Sequence, residues 1–179
     1  MNNKITPTEA IQIQNELRKG VILSLPKNFE IKTIGGCDVS MNLFSKFGFG
    51  GFVVLDTNLE KIDESIVKDD LTFPYIPGLL SFREIPTLLK AWKKLKTKPS
   101  VILVDGVGIA HPRRIGIATH LGLLLNVPTI GCAKNNLFGK YKGPKNLKGA
   151  YEYIFDAKTN EKIGAVVRTK ENVKPMFIS

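Results

Sequence analysis

The chain has 179 residues, of which 43% are hydrophobic and 23% charged, with a formal net charge of +10. This composition excludes a low-complexity or disordered chain, and the length suits one domain with a substantial hydrophobic core. The two cysteines, Cys37 and Cys132, lack the spacing of a zinc site and are typical of small buried residues in a reducing compartment. Since no signal pattern and no membrane-spanning run is present, we expect a cytoplasmic protein.

The strongly basic charge has two interpretations. Lysine and arginine together number 26, against 16 aspartates and glutamates. This excess favours a polyanionic partner, and nucleic acid is the first candidate. The alternative is a basic, solvated surface that has no partner.

The N-terminal part of the chain predicts one helix and then three strands. Residues 6–9 (TPTE) form a capping box with proline at the first helical position, and apolar residues at helical spacing continue the helix to about Lys19. Three alternating segments with short connections then predict an antiparallel meander, at residues 31–39, 47–55 and 61–67.

A segment bracketed by proline and glycine follows, at residues 72–84 (TFPYIPGLLSFRE). We expect a rigid loop that presents aromatic and aliphatic side chains and leads into the second helix. That helix has apolar residues on one face, at Ile85, Leu88, Leu89, Trp92 and Leu95.

The stretch from Val101 to Lys134 is the centre of the chain. It predicts a buried strand, a DGVG turn, a His-Pro-Arg-Arg corner, an amphipathic helix and a second strand. This is a βαβ crossover, which implies parallel strands and a ligand site at their carboxyl edge. Asp105 lies at that edge, and we expect the helix N-terminus with Arg113 and Arg114 to face it. A carboxylate beside clustered positive charge suggests a metal ion and a phosphate ester.

The rest of the chain predicts a lysine- and glycine-rich loop, a hairpin and a short final strand, at residues 135–148, 151–169 and 174–179. The order of elements matches an α/β, ribonuclease H-like fold. Its central mixed five-stranded sheet has three antiparallel strands, then parallel strands, and is flanked by helices. In that fold the first and fourth strands are parallel neighbours, so Asp38 and Asp105 should stand side by side, with Glu84 in reach.

Three converging carboxylates would repel one another unless a cation neutralises them. Oxygen ligands without cysteine select Mg²⁺ or Mn²⁺, which activates water and stabilises the leaving oxygen of a phosphodiester. Each carboxylate also has an ordinary explanation. Asp38 and Asp105 could be turn residues, and Glu84 could close a capping box with Ser81.

Other polar and aromatic residues are open to two interpretations. The lysines of residues 134–148 could belong to a solvated loop, or Phe138 and Tyr141 among them could stack on bases. The ordinary structural roles are a corner for His111, core packing for His120 and Tyr75, and surface exposure for Lys134.

Four segments together resemble the endonuclease V family, the deoxyinosine 3′-endonucleases. They are GGCDVS (35–40), FPYIPGLLSFRE (73–84), residues 104–135 and GAVVRTKENVKPMFIS (164–179). They occur in family order over nearly the whole chain from about Ile31. The resemblance implies a single domain (1–179) with a ribonuclease H-like fold that uses Mg²⁺, for which Mn²⁺ can substitute.

The resemblance also implies an activity and a partner. Enzymes of this family act in DNA repair and hydrolyse the second phosphodiester bond 3′ to a deaminated purine. We therefore expect DNA containing deoxyinosine, or inosine-containing RNA, as the partner of a monomeric enzyme without membrane association.

Site residues are implied by the matched motifs. Asp38, Glu84 and Asp105 correspond to the metal-binding, catalytic carboxylates, and His111 and Lys134 to positions near the scissile phosphate. The nucleic-acid wedge corresponds to Tyr75, Ile76 and Pro77, and the pocket for the flipped base to Gly78, Leu80, Gly106, Gly108, Gly116 and Ile117.

Two departures from the family pattern bear on activity. Val107 occupies the variable place of DGxG, which often holds a polar residue. The sequence stops at Ser179, before a Gly-His pair whose histidine assists at the family's metal site. We therefore expect a C-terminally short chain, and the second hypothesis is a lesion-binding protein with weak or no cleavage. A third is a ribonuclease H-like nuclease with another substrate, which the PYIP segment disfavours.

Overall fold

An eight-stranded mixed sheet forms the centre of the computed structural model, which describes residues 5–42 and 45–179. The strands are β1 (Thr33–Ser40), β2 (Phe47–Asp56), β3 (Lys61–Asp70), β4 (Val101–Val104), β5 (Thr129–Ala133), β6 (Tyr151–Phe155), β7 (Lys162–Val167) and β8 (Met176–Ile178). The helices are α1 (Pro7–Leu17), α2 (Leu80–Lys94) and α3 (Ile117–Leu125), with a 3₁₀ turn at Arg18–Gly20 after α1.

The strand order is β3-β2-β1-β4-β5-β8-β7-β6. The antiparallel meander and the parallel pairing of β1 with β4 and of β4 with β5 are as predicted. The sheet is larger than the five strands expected. β5 is not an edge strand, because it pairs with β8, where Cys132 lies opposite Ile178. β8 also pairs with β7 of the β6–β7 hairpin, which extends the sheet by three strands.

The capping box at the start of α1 is confirmed. The Thr6 hydroxyl accepts the backbone N–H of Glu9 at 3.3 Å, and the Glu9 carboxylate accepts the backbone N–H of Thr6 at 2.7 Å. This reciprocal pair satisfies two donors that a helix start leaves without partners. Within the described ranges, none of the helices is long and apolar enough to cross a bilayer.

The capping box proposed for Glu84 does not form. Helix α2 begins at Leu80, and its N-cap residue, Leu79, makes no side-chain capping bond. Ser81 therefore lies inside the first turn, where its hydroxyl pairs with Nδ1 of the buried His120 at 3.0 Å. The packing role considered for His120 is confirmed, and Glu84 is left without a capping function.

Helices α2 and α3 cover one face of the sheet. The main core lies between these helices and the sheet. It includes Phe52, Val54, Leu88, Ile102 and Leu121, each at most 1% exposed. Burying a side chain of this size contributes about 1.5–3 kcal/mol. A second cluster, centred on Ile154, Ile163, Val166 and Phe177, packs beneath the hairpin and β8.

The opposite face of the central strands is open in the part of the chain that the structure describes. Its apolar side chains are partly exposed, among them Val53 at 40%, Ile66 at 69% and Leu103 at 39%. A shallow depression on this face is lined by these residues together with Asp38 and Asp105. The two aspartates are therefore reachable from solvent by a large molecule.

Candidate active site

Asp38 and Asp105 are brought together by the parallel pairing of β1 and β4. Cys37 lies opposite Val104 in that pairing, and the backbone N–H of Asp105 donates to the carbonyl of Cys37 at 3.2 Å. Asp38 on β1 therefore lies next to Asp105, which directly follows β4. β1 continues beyond Asp38 to Ser40, so Asp38 is a strand residue and the turn interpretation considered for it is wrong.

Glu84 approaches the same region from the helical layer. It is buried on α2, with 7% of its surface exposed. Burial, followed by the negative charges of Asp38 and Asp105, raises the pKa of Glu84 to about 8, although Arg83 opposes the shift. The three predicted carboxylates therefore share one electrostatic environment.

The same environment acts on the neighbouring thiol. Burial, assisted by the charges of Asp38, Glu84 and Asp105, raises the pKa of Cys37 to about 12. A thiol with so high a pKa is a weak nucleophile and a poor metal ligand at neutral pH. Cys37 is therefore a packing residue beside the carboxylates, as its position in a strand predicted.

Lys134 supplies the positive charge nearest to Asp105. Its ammonium group donates to Asp105 Oδ2 at 2.6 Å, although 74% of the lysine side chain is exposed. This hydrogen bond and the charges of Asp105 and Asp38 raise the pKa of Lys134, so it stays protonated at neutral pH. One oxygen of Asp38 accepts the backbone N–H of Val39 at 2.7 Å.

The donor chemistry of the site suits a hard divalent cation. The side chains are carboxylates; the pKa of Glu84 is raised chiefly by its burial and secondarily by the negative charges of Asp38 and Asp105, which a cation would offset. As these side chains stand, no three described His, Cys, Asp or Glu residues are arranged to hold one metal ion. A cation would compete with Lys134 for Asp105 and with the Val39 amide for Asp38. The residues thus fit a metal in charge and donor type, without forming a preassembled cage.

The segment before α2 ends in a tight turn. Leu79 donates its backbone N–H to the carbonyl of Ile76 at 2.9 Å, with Pro77 and Gly78 between them. Gly78 has φ +79°, and proline followed by a glycine with positive φ is the signature of a type II turn. Tyr75 is 53% exposed beside this turn, so the packing role considered for it is wrong.

His111 holds this turn against the segment that follows Asp105. Its Nδ1 accepts the backbone N–H of Arg113 at 3.1 Å, so Nε2 carries the proton and donates to the carbonyl of Gly78 at 3.1 Å. Burial, followed by the charge of Arg113, lowers the pKa of His111 to about 4. The ring is neutral and 2% exposed, with both nitrogens bonded to backbone groups. In this arrangement neither nitrogen is free for a phosphate oxygen.

The positive cluster expected from Arg113 and Arg114 does not form beside Asp105. Arg114 has φ +61° and pairs with Asp156 at 2.5 Å and Glu161 at 2.7 Å, at the far hairpin. The guanidinium of Arg113 donates to Gln14 and to the carbonyl of Gly78. Sequence adjacency suggested one cluster, but successive residues of this corner point to different partners.

The segment after Asp105 closes tightly onto α3. The N–H of Gly116 donates to the carbonyl of Gly108 at 2.8 Å, and that of Ala118 donates to Val107 at 3.1 Å. A Cβ on Gly116 would collide with the carbonyl groups of Val107 and Gly108, so only glycine permits this approach. A Cβ on Gly108 would instead collide with the backbone of Ser179. These contacts also occupy amide groups at the start of α3 that we expected to face Asp105. Gly106 contacts Ile117 in the same region.

The remaining residues predicted for the base pocket lie across from this segment. Gly78 is joined to it through His111, and Leu80 follows as the first residue of α2, half-buried. His111 therefore joins the turn before α2 to the start of α3, and Leu80 adjoins this junction in sequence.

One residue of this junction was missed by the sequence analysis. Gln14 on α1 is 1% exposed and contacts Gly78, Arg113 and Ile115. Its one local signal was its position four residues after Ala10, the other buried residue of α1. A glutamine at a core-facing helical position indicates a buried polar contact, but not its partner.

A mixed sheet with one carboxylate on β1, one directly after the parallel strand β4 and one on the intervening helix is typical of the ribonuclease H-like class of nucleases. Residues 15–179 match the family model for Endonuclease V. The endonuclease V of Dictyoglomus turgidum is 50% identical over 171 residues, which is 96% of this chain and 73% of that protein. That of Myxococcus xanthus is 43% identical over 176 residues, 98% of this chain and 74% of the relative. The chain therefore belongs to the endonuclease V family.

Solved structures agree with this assignment. An endonuclease V from Streptomyces avermitilis superposes with a TM-score of 0.90 at 39% identity, over 99% of this chain and 78% of the other. The endonuclease V of Ciona intestinalis, in complex with a 24mer DNA containing an inosine followed by a ribo-adenosine, gives 0.82 at 31% identity, over 96% and 81%. The ribonuclease H-like fold is confirmed, and the chain is an endonuclease, a hydrolase of phosphodiester bonds.

Proposed function

We propose that this protein is a metal-dependent endonuclease that recognises deoxyinosine, or inosine, in nucleic acid. In this proposal it hydrolyses the second phosphodiester bond 3′ to the deaminated purine, as a cytoplasmic monomer acting in DNA repair. The observation that carries the proposal is the nearness of Asp38 and Asp105, whose charges also act on the buried Glu84. The inosine-containing DNA bound by the Ciona intestinalis relative supports the choice of substrate.

Access to the site suits a polymeric substrate. Asp38 and Asp105 line the depression on the open sheet face, so a nucleic acid strand can lie across them without entering a closed cavity. The net charge of +10 draws a polyanion towards the protein over a longer range.

The reaction assigns different tasks to the side chains. Asp38, Glu84 and Asp105 would hold Mg²⁺ or Mn²⁺, which activates water and stabilises the leaving oxygen when it is bound. Lys134, whose ammonium group lies 2.6 Å from Asp105 Oδ2, would stabilise the charge of the phosphate. The buried, neutral His111 keeps the turn at Gly78 fixed beside the segment that follows Asp105.

Recognition of the deaminated base would use the segment before α2. Tyr75, Ile76 and Pro77 form the wedge, of which Tyr75 is 53% exposed and Ile76 packs into a small cluster with Phe73 and Leu79. An apolar wedge that is anchored in the protein core can fill the space that an extruded nucleotide leaves. The base itself would enter the junction formed by Gly78, Leu80, Gly106, Gly108, Gly116 and Ile117.

A second candidate is an inosine-binding protein with weak or no cleavage. It is favoured by the absence, among the described side chains, of three metal ligands already arranged around one point. The bond between Lys134 and Asp105 supports it as well, because a metal would have to share that carboxylate.

Incubation of the protein with labelled oligonucleotides that carry one inosine separates these candidates. Single- and double-stranded DNA and RNA versions are tested with Mg²⁺, with EDTA, and against the same strands carrying adenosine. A metal-dependent nick one nucleotide beyond the inosine supports the endonuclease. Preferential binding without a nick supports the second candidate, and loss of any preference for inosine overturns both.

A further inference from the structure

The carbonyl oxygen of Gly78 is a meeting point for side chains from distant parts of the chain. It accepts hydrogen bonds from Gln14 Nε2 at 3.0 Å, His111 Nε2 at 3.1 Å and Arg113 Nη2 at 2.8 Å. A carbonyl oxygen has two lone pairs, so three donors are more than it usually receives. Because Gly78 is the third residue of the type II turn, holding its carbonyl holds the direction of the whole turn.

Gln14 is the member of this group that uses both amide N–H donors and also accepts a hydrogen bond. Its Nε2 also donates to the carbonyl of Ile115 at 3.1 Å, and its Oε1 accepts from Arg113 Nε at 2.5 Å. The reverse orientation of the amide would set its oxygen against two carbonyls and its nitrogen against a guanidinium. The contacts therefore determine the orientation of this buried side chain.

These contacts join segments that carry different parts of the proposed site. Ile115 lies two residues before α3 in the segment that begins at Asp105, and Gly78 precedes the helix that bears Glu84. Gln14 lies on α1, outside both. It bridges the two carbonyls with one amide group, and so fixes the spacing between the wedge turn and the start of α3.

We propose that Gln14 is a positioning residue for base recognition, and this rests on the proposed function. By bridging the carbonyls of Gly78 and Ile115, it sets the width of the junction that receives the extruded base. Gln14 contacts no nucleotide in this proposal; it acts through Gly78. Loss of the bridge lets the turn at residues 75–78 shift against α3, which lowers discrimination between inosine and an ordinary base.

The test replaces Gln14 by residues of similar shape. Gln14→Glu keeps an acceptor for Arg113 but removes both N–H donors, and Gln14→Met removes every hydrogen bond without adding charge. Gln12→Glu is the matched control, because Gln12 is an exposed glutamine on the same helix. Thermal unfolding followed by circular dichroism identifies any variant that fails to fold, and the other variant then carries the test.

The readout is the ratio of dissociation constants for two strands that differ by one base, inosine or adenosine, measured in EDTA. We expect both Gln14 variants to lose about tenfold in this ratio, equivalent to about 1.4 kcal/mol, with unchanged affinity for the adenosine strand. Gln12→Glu should keep the wild-type ratio. A ratio preserved in the folded variants, or an equal loss for both strands, overturns the positioning role. A wild-type protein without preference for inosine overturns the proposed function itself, and this inference with it.

Discussion

Asp105 is the side chain on which the charges of the site converge. It accepts the ammonium group of Lys134 at 2.6 Å, and its charge contributes to the raised pKa of Glu84. Asp105→Asn keeps the size of the side chain but removes this charge. We expect the rate of cleavage of an inosine strand to fall by about 100-fold or more, because a charged group that acts in the transition state is lost. Binding to the same strand should change little.

A matched control for Asp105→Asn is Asp69→Asn. Asp69 forms an ion pair with Lys90 at 2.5 Å, so the control also removes the acid of a close lysine–aspartate pair. Single-turnover cleavage and equilibrium binding are measured for both variants. A fully active Asp105→Asn enzyme would refute the proposed role of this carboxylate at the metal.

Tyr75 tests the wedge. An aromatic ring that stacks against bases is worth about 1–3 kcal/mol, so Tyr75→Ala should lower the preference for an inosine strand about tenfold. Tyr151→Ala is the control, because Tyr151 is 54% exposed and Tyr75 is 53% exposed. Relative cleavage of inosine and adenosine strands is the measurement. An unchanged preference in Tyr75→Ala would remove the wedge role from this residue.

At the residue level, the sequence predicted which residues regular strands bring together, but it did not predict contacts between side chains of distant segments. Asp38 and Asp105 could be placed side by side because parallel strands in this fold order set their positions. Gln14 could not be connected to Gly78, which lies 64 residues away, or to Arg113, 99 residues away. No local pattern encodes such contacts, since they depend on how α1 docks.

At the level of elements, the junction of α2 and α3 contains a buried histidine. His120 is 5% exposed, its Nδ1 pairs with the Ser81 hydroxyl at 3.0 Å, and its ring packs edge-on against Phe82. Burial lowers the pKa of His120 from 6.5 to about 4. The unfolded chain therefore binds a proton near pH 6.5 that the folded protein rejects until about pH 4. Acidification through this window lowers stability.

The stability loss from His120 alone should be about 2 kcal/mol between pH 7 and pH 5. His111 acts in the same direction, whereas Glu84 acts in the opposite one, because a raised carboxyl pKa makes the folded state bind protons first. The contributions of His111 and Glu84 cancel when the free energy of unfolding of His120→Asn is subtracted from that of the wild type. Urea unfolding should show that His120→Asn is less stable than the wild type at pH 7, and that this difference is about 2 kcal/mol smaller at pH 5.

Ser81→Ala is the control for this titration. It removes the partner of His120 but leaves the ring buried, so its free energy of unfolding should follow the wild-type pH dependence. A constant gap between wild type and His120→Asn from pH 7 to pH 5 would mean that His120 titrates near its ordinary pKa in the folded protein.

The two candidate capping boxes show where local patterns stop being sufficient. Thr6 and Glu9 form the box at α1, whereas Ser81 and Glu84 have the same spacing but form none. The type II turn that includes Gly78 allows α2 to begin at Leu80, so Ser81 falls one residue inside the helix. A start set by the preceding turn thus overrides the capping signal, and it leaves Glu84 on the buried side of the first turns.

At the level of the whole molecule, the strands were predictable individually, but the extent of the sheet was not. The alternating patterns indicated the meander, the hairpin and the final short strand. The insertion of β8 between β5 and β7 depends on pairings such as Cys132 with Ile178 and Ala165 with Ile178. These strand pairings join segments that are far apart in the chain, so composition and periodicity could not predict them. The result is one continuous sheet with the aspartates on its open face.

The salt dependence of binding affinity separates the effect of the overall net charge from that of direct contacts between lysines and phosphates. A charge of +10 attracts any nucleic acid, but only a lysine that touches a phosphate releases counterions on binding. Lys134→Gln should therefore lower the slope of log affinity against log salt concentration by about 0.9 on an inosine-containing duplex. Lys19→Gln is the matched control. Lys134 and Lys19 each pair with a carboxylate at 2.6 Å and are 74% and 68% exposed.

Both variants remove one charge from the long-range field, so both should slow association slightly at low salt. The slope should change only for Lys134, because Lys19 lies in the 3₁₀ turn after α1, where the neighbouring Gly20 adjoins Leu123 of α3 on the covered face of the sheet. Fluorescence anisotropy in EDTA from 50 to 300 mM salt measures both slopes. An equal reduction in the two variants would show that binding follows net charge alone, and Lys134 would then lose its assigned contact with the phosphate.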